Sequence, residues 1–145
     1  MAQYYLGNMY SCGRGVHKDE AKADQWFQKS GAQGNAFIQT YLGLAYAEGI
    51  GVPKDEVKAV EWYRKAADQG TAVAQNNLGT MYAEGKGVPK DEVQAYAWFN
   101  LAAVNNDSDA IKFREILEQK MTLEQKAAAQ KLSMELFEKI KKPQA

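Results

Sequence analysis

Apolar positions recur at helical spacing through most of this chain. Ala59, Trp62, Tyr63, Ala66 and Ala67 stand at i, i+3, i+4, i+7 and i+8, with charged residues between them. That spacing predicts a helix with one apolar stripe facing a neighbour. Just upstream, Leu42, Ala45 and Tyr46 share a face, which predicts another helix from about Ala36 to Glu48. Gly49-Ile50-Gly51-Val52-Pro53 separates the two. Its glycines allow backbone angles that a Cβ resists, and its proline disfavours helical geometry in the residue before it. Asp55 follows as a natural N-cap, able to accept from the first amides of the next helix.

The same unit occurs three times. Leu6-Gly7, Leu42-Gly43 and Leu78-Gly79 recur every 36 residues, as do Tyr10, Tyr46 and Tyr82, the Gly-x-Gly-Val segments starting at Gly13, Gly49 and Gly85, and Trp26, Trp62 and Trp98. Residues 36–71 and 72–107 are identical at 19 of 36 positions, which makes this a repeat protein. Stripes of Ala23, Trp26, Phe27, Ser30 and Gly31 in the first unit and Ala95, Trp98, Phe99, Ala102 and Ala103 in the third match the one in the second. Gly34, Gly70 and Asn106 stand where the second helix of each unit must end in left-handed geometry. The repeating tryptophans therefore read as core, not as a ladder for bases or sugars.

Leu-Gly-x-x-Tyr, Gly-x-Gly-Val, Asp, Ala-x-x-Trp-Tyr/Phe and Ala-Ala on this period resemble the Sel1-like repeat family, a relative of tetratricopeptide repeats. Tetratricopeptide repeats themselves have a period of about 34 and lack the extended inter-helix segment. The resemblance covers residues 1–107, as units of about 1–35, 36–71 and 72–107. It implies an all-α fold, a right-handed α/α solenoid of helix-turn-helix repeats whose first helices line a concave surface, and a role as an adaptor or scaffold in protein complexes. Some cysteine-rich members of the family are linked with β-lactam binding; their paired cysteines are missing here, where Cys12 stands alone.

Residues 108–145 lose the period and are expected to form capping helices, since the end of a stacked array exposes an apolar face. Ala110, Phe113, Ile116 and Leu117 predict a first helix there. Thr122-Leu123-Glu124-Gln125 matches a capping box, opening a helix to about Lys141 with Leu123, Ala127, Leu132, Leu136 and Ile140 near one side. At the other end Met1 falls inside the first helix, so the expectation is that the chain belongs to a longer array.

If Leu6, Met9 and Tyr10 point into the stack, the opposite side of that helix carries Tyr4, Tyr5, Asn8, Ser11 and Cys12. Thr40, Tyr41 and Leu44 are the equivalents in the second unit, and Asn76, Asn77 and Thr80 in the third. These positions change character from unit to unit, as expected where stacking does not dictate identity. They are the candidate partner-binding residues, with tyrosine contacts and amide hydrogen bonds suited to a peptide or a partner helix.

Charge narrows the partners. Eighteen basic and eighteen acidic residues give zero formal charge among 145, which disfavours nucleic acid and anionic membranes. No apolar run approaches the roughly 18 residues that span a bilayer, and no signal peptide is evident, so a cytoplasmic location is the default, with a periplasmic or secreted one open for a trimmed chain. An enzyme would need a nucleophile near a base or a set of metal ligands. His17 is the single histidine, in a turn where the other units have Pro53 and Pro89, and Cys12 lies five residues before it. Asp19, Asp55 and Asp91 are explained as caps, and Glu20, Glu56 and Glu92 by the helix dipole. Catalytic residues, metal ligands and cofactors are therefore expected to be absent. The expected function is protein binding in the groove, the alternatives being homotypic assembly through the N-terminal edge and a hydrolase using Cys12 and His17.

Overall fold

The periodic segments fold as helices throughout residues 1–141, the part of the chain that the computed structural model describes. In order they are α1 (Ala2–Cys12), α2 (Glu20–Gly31), α3 (Ala36–Glu48), α4 (Glu56–Asp68), α5 (Ala72–Glu84), α6 (Glu92–Val104), α7 (Ser108–Glu118) and α8 (Leu123–Lys141). No strand occurs among the described residues. Residues 142–145, the end of the expected cap, lie outside them.

Each inter-helix turn is closed from both ends. Gly13, Gly49 and Gly85 adopt φ of 70°, 73° and 68°, and their amides donate back to Met9, Ala45 and Met81. The carboxylates of Asp19, Asp55 and Asp91 accept from the Lys22, Lys58 and Gln94 amides, each at 3.1 Å. Their own amides donate to the carbonyls of Tyr10, Tyr46 and Tyr82 at 2.9–3.0 Å. Each cap of this kind contributes about 1 kcal/mol. At the far end of the second helices, Gly34, Gly70 and Asn106 take the expected positive φ, 90°, 92° and 64°.

The structure divides into two compact units, Met1–Ala66 and Ala67–Ala145. In the first, the Leu-Gly pairs explain how a leading helix approaches a trailing one. A Cβ on Gly7 would lie 2.6 Å from the Phe27 ring, and one on Gly43 would collide with Tyr63. Both rings are buried. Tyr46 is buried as well, and its hydroxyl donates to Asp24, whose other oxygen is 3.2 Å from Lys58 Nζ.

Trp62 and, in the second unit, Trp98 are core residues, at 7% and 1% exposure. Trp26 is not: it is half-buried, with Lys29 Nζ 4.7 Å from its ring centre. Trp62 closes over Gly31 of the trailing helix before it, and no helix among the described residues gives Trp26 the same cover. For the same reason α1 fully buries only Gly7, leaving Met9, expected inside the stack, 37% exposed.

In the second unit α6 is the central element, packed against α5, α7 and α8. Its whole predicted stripe is buried, and Tyr96, Ala97 and Leu101 on other faces are buried too. The capping box forms: Thr122 N donates to Gln125 Oε1 at 2.9 Å, and Gln125 N to Thr122 Oγ1 at 3.1 Å. Downstream, the expected stripe of α8 needs correction. Leu123 is 85% exposed and Ala127 is exposed, whereas Leu132, Leu136 and Ile140 of the expected stripe are half-buried and Ala129 and Ser133, outside it, are buried. Positions 129, 133, 136 and 140 keep the true helical period, and their small members let α8 lie close to the core. The α7 stripe is narrower than expected: Ala110 and Leu117 are buried, while Ile116 is exposed and Phe113 rests its ring 5.5 Å from that of Phe99.

Candidate functional site

The leading helices α1, α3 and α5 carry the residues expected to face a partner. In the first unit these include three tyrosines. Tyr4 on α1 meets Tyr41 on α3 edge-on, with ring centres 5.6 Å apart, and meets Tyr5 edge-on at 5.9 Å. Such edge-to-face geometry places the positive rim of one ring on the negative face of another. Tyr4 is also backed by Phe27 of α2 at 5.9 Å, so the trailing helix holds it in place. Tyr4 and Tyr41 are half-buried, whereas Tyr5 is 58% exposed and Leu44, further along α3, is also exposed. Asn8 and Thr40 are half-buried.

The electrostatics follow from this packing. Burial pushes the Tyr41 hydroxyl above its ordinary pKa, and the neighbouring Tyr4, a hydrogen bond with it, and Cys12 act in the same direction. Tyr41 therefore stays a neutral hydroxyl at physiological pH, paired with Tyr4. The Thr40 hydroxyl donates to its own helix at Ala36 O, 2.8 Å away, which leaves its oxygen as an acceptor.

In the second unit the corresponding face of α5 is polar. Asn76, Asn77 and Thr80 are all half-buried. Thr80 Oγ1 donates to Asn76 O at 3.1 Å, repeating the Thr40 arrangement, and Asn76 Oδ1 is buried without a hydrogen-bond partner among the described residues. In the first unit the predicted tyrosines are brought together around Tyr4; in the second, Thr80 bonds the Asn76 carbonyl within α5.

Cys12 and His17 are both exposed. Among the described residues, no group of three or more His, Cys, Asp or Glu side chains is arranged to hold a metal ion. No helix among them is long and apolar enough to cross a membrane. The sequence reading missed a second surface. Val104, Met134 and Phe137 are exposed apolar residues near the end of α6 and on α8. The available signal was that Met134 and Phe137, three residues apart, fall off the stripe assigned to α8.

Comparison with known proteins gives a consistent result. The family model described as Sel1 repeat matches residues 1–35, 38–71 and 72–107. A solved structure of c5321, described as a protective antigen present in uropathogenic Escherichia coli strains and displaying an SLR fold, is similar over 99% of this chain at 34% identity and a TM-score of 0.77. A Sel1 repeat protein from Oxalobacter formigenes is similar over 80% of the chain, at 40% identity and a TM-score of 0.66. The matches cover 41% and 34% of those two proteins, so this chain spans well under half the length of either. No curated protein matches it. The fold is the SLR fold, an all-α solenoid of helical repeats.

Proposed function

Because the chain belongs to the Sel1 repeat family, whose repeats generally act as protein-interaction scaffolds, we propose that it is a non-catalytic module that binds a peptide or partner helix on the outward face of its leading helices. The observation that carries this reading is the Tyr4–Tyr5–Tyr41 cluster, in which Tyr4 meets each of the other two rings edge-on, together with the exposed Leu44 on α3. Aromatic rings already fixed by a supporting helix bury area on binding while losing little side-chain entropy, which is the property of binding hot spots. In the first unit Asn8 on α1 and Thr40 on α3 supply acceptors and donors for the partner's backbone; in the second unit, taken by itself, Asn76, Asn77 and Thr80 on α5 offer the same chemistry.

The test is quantitative capture of partners from the source cell by the wild-type chain and by a Tyr4→Ala, Tyr41→Ala, Leu44→Ala variant, with helicity checked by circular dichroism. A folded variant should lose the partners that the wild type retains. Equal recovery of the same partners would move the binding surface elsewhere.

A second reading is homotypic assembly through the N-terminal edge, favoured by the half-exposed Trp26 and exposed Met9. Sedimentation across concentrations separates the two: assembly requires a mass that rises with concentration and falls back in a Trp26→Ala, Met9→Ser variant.

A further inference from the structure

The longest of the described helices is partnered along one side only. α8 runs for 19 residues, against 11 to 13 in the others. One row of it packs on the core, with Ala129 and Ser133 buried and Leu136 and Ile140 half-buried. A second row, Leu123, Ala127, Gln130, Met134 and Phe137, lies about a third of a turn away. Every member of it is exposed, Leu123 at 85% and Met134 at 71%. Toward α6 this row borders a cavity of about 550 Å³ with a mixed lining, Tyr96, Asn100 and Gln130 beside Val104, Met134 and Phe137, so α6 does not cover these side chains. The row advances by four, three, four and three residues, the spacing of a helix that packs along a second helix.

The charges beside the row say which helix that is. Glu124 and Lys131 border it on the solvent side, one residue past Leu123 and Gln130. Set α8 antiparallel to α8 of a second copy, with Leu123 opposite Met134 and Ala127 opposite Gln130. The two most exposed large apolar side chains of the second unit then cover each other, twice, by the two-fold symmetry. In the same register Lys131 of each copy comes opposite Glu124 of the other, also twice. Other pairings lose one of these matches. A parallel pair in register sets Lys126 against Lys131. Sliding the antiparallel pair by seven residues sets Lys131 against Lys131 and Glu124 against Glu138, and like charges across an interface oppose it. Sliding it by seven more carries Leu123 beyond the overlap of the two helices.

We propose that α8 is a self-association helix, pairing antiparallel with α8 of a second copy through Leu123, Ala127 and Met134 and two Lys131–Glu124 ion pairs. One helix face is smaller than the roughly 800 Å² that each partner gives to a standard interface, so the dimer is weak. It uses no residue of the N-terminal edge, which separates it from assembly through Trp26 and Met9. The test is sedimentation equilibrium of the full chain at low salt from about 10 μM to about 1 mM, the range in which weak interfaces become populated. The wild type should rise from monomer toward dimer and no further. Leu123→Ser with Met134→Ser, both at exposed positions, should weaken the dimer about tenfold or more with helicity unchanged. Lys131→Glu reverses both ion pairs and should weaken it about threefold or more, and adding Glu124→Lys should restore the wild-type affinity. Trp26→Ala with Met9→Ser should leave it unchanged. A strict monomer throughout would overturn the proposal and leave the row to a helix of another protein. So would a dimer indifferent to Leu123→Ser with Met134→Ser, one that Glu124→Lys fails to restore, or one lost on replacing Trp26 and Met9.

Discussion

Gly43→Ala is the substitution at which helix propensity and packing disagree most sharply. Within an exposed helix, alanine in place of glycine stabilises by about 1 kcal/mol. At position 43 the added Cβ would lie within 3 Å of three atoms of the Tyr63 ring, with Cγ at 2.9 Å. Carbon atoms in favourable contact sit about 3.5–4.0 Å apart, so the ring or its helix must retreat by roughly 1 Å. Tyr63 is 3% exposed, so its ring cannot give way without disturbing the core around it. Overpacking of this kind costs about 1–3 kcal/mol, and a displacement this large belongs at the upper end. The net expectation is a loss of about 1–2 kcal/mol, read from urea unfolding followed by circular dichroism at 222 nm. Gly34→Ala is the control: nothing lies within 4 Å of its added Cβ, and its cost comes from a φ of 90° alone. A Gly43→Ala chain as stable as wild type, or more so, would refute the argument that the Leu-Gly pairs exist to let a trailing helix approach.

Other substitutions read different parts of the structure. Trp98→Ala should cost about 3–5 kcal/mol, and Trp26→Ala less than half of that, as the difference in their burial requires; the same urea series measures both. Asp55→Ala should cost about 1 kcal/mol by removing the bond to the Lys58 amide, with Asp55→Asn recovering most of it. Burial, aided by the Glu48 charge, pushes the Tyr63 hydroxyl up to about 12. Because the folded state holds that proton more tightly than the unfolded chain, whose tyrosines titrate near about 10, the stabilisation is complete below that pH. It is lost as pH rises toward 12, a fall on the order of 2–3 kcal/mol that Tyr63→Phe should abolish in unfolding curves taken across that range. Tyr4→Phe should lower the Tyr41 pKa, seen as tyrosinate absorbance appearing at lower pH, since the Tyr4 charge and hydrogen bond both raise it.

Much of this architecture is local and was legible in the residues. Asp19, Asp55 and Asp91 cap helices, Gly34, Gly70 and Asn106 take left-handed angles, and Thr122 and Gln125 form their reciprocal box, because each depends on neighbours within a few positions. What the pattern could not supply was the environment beyond a helix. Trp26 has the same place in its repeat as Trp62 and Trp98, yet its exposure is decided by whether another trailing helix lies before it. On α8 the Leu123 and Ala127 positions looked like part of a stripe, but burial follows Ala129 and Ser133, and small residues carry little weight in a hydrophobic count. A helical wheel separated the candidate face only in part: Tyr5 and Leu44 are exposed, whereas Tyr4, Tyr41 and Thr40 are half-buried. It could not show their mutual contact: that Tyr4 would touch both Tyr5 and Tyr41 depends on side-chain directions that a helical wheel does not fix.

The most direct test of the binding face is site-specific photocrosslinking in the source cell. A photoreactive phenylalanine analogue replaces Tyr5 on α1, Leu44 on α3 or Val57 on α4, all exposed positions. Crosslinks to one partner protein from positions 5 and 44, with none from 57, are what the account predicts. The same partner captured from position 57, with positions 5 and 44 silent, would contradict it.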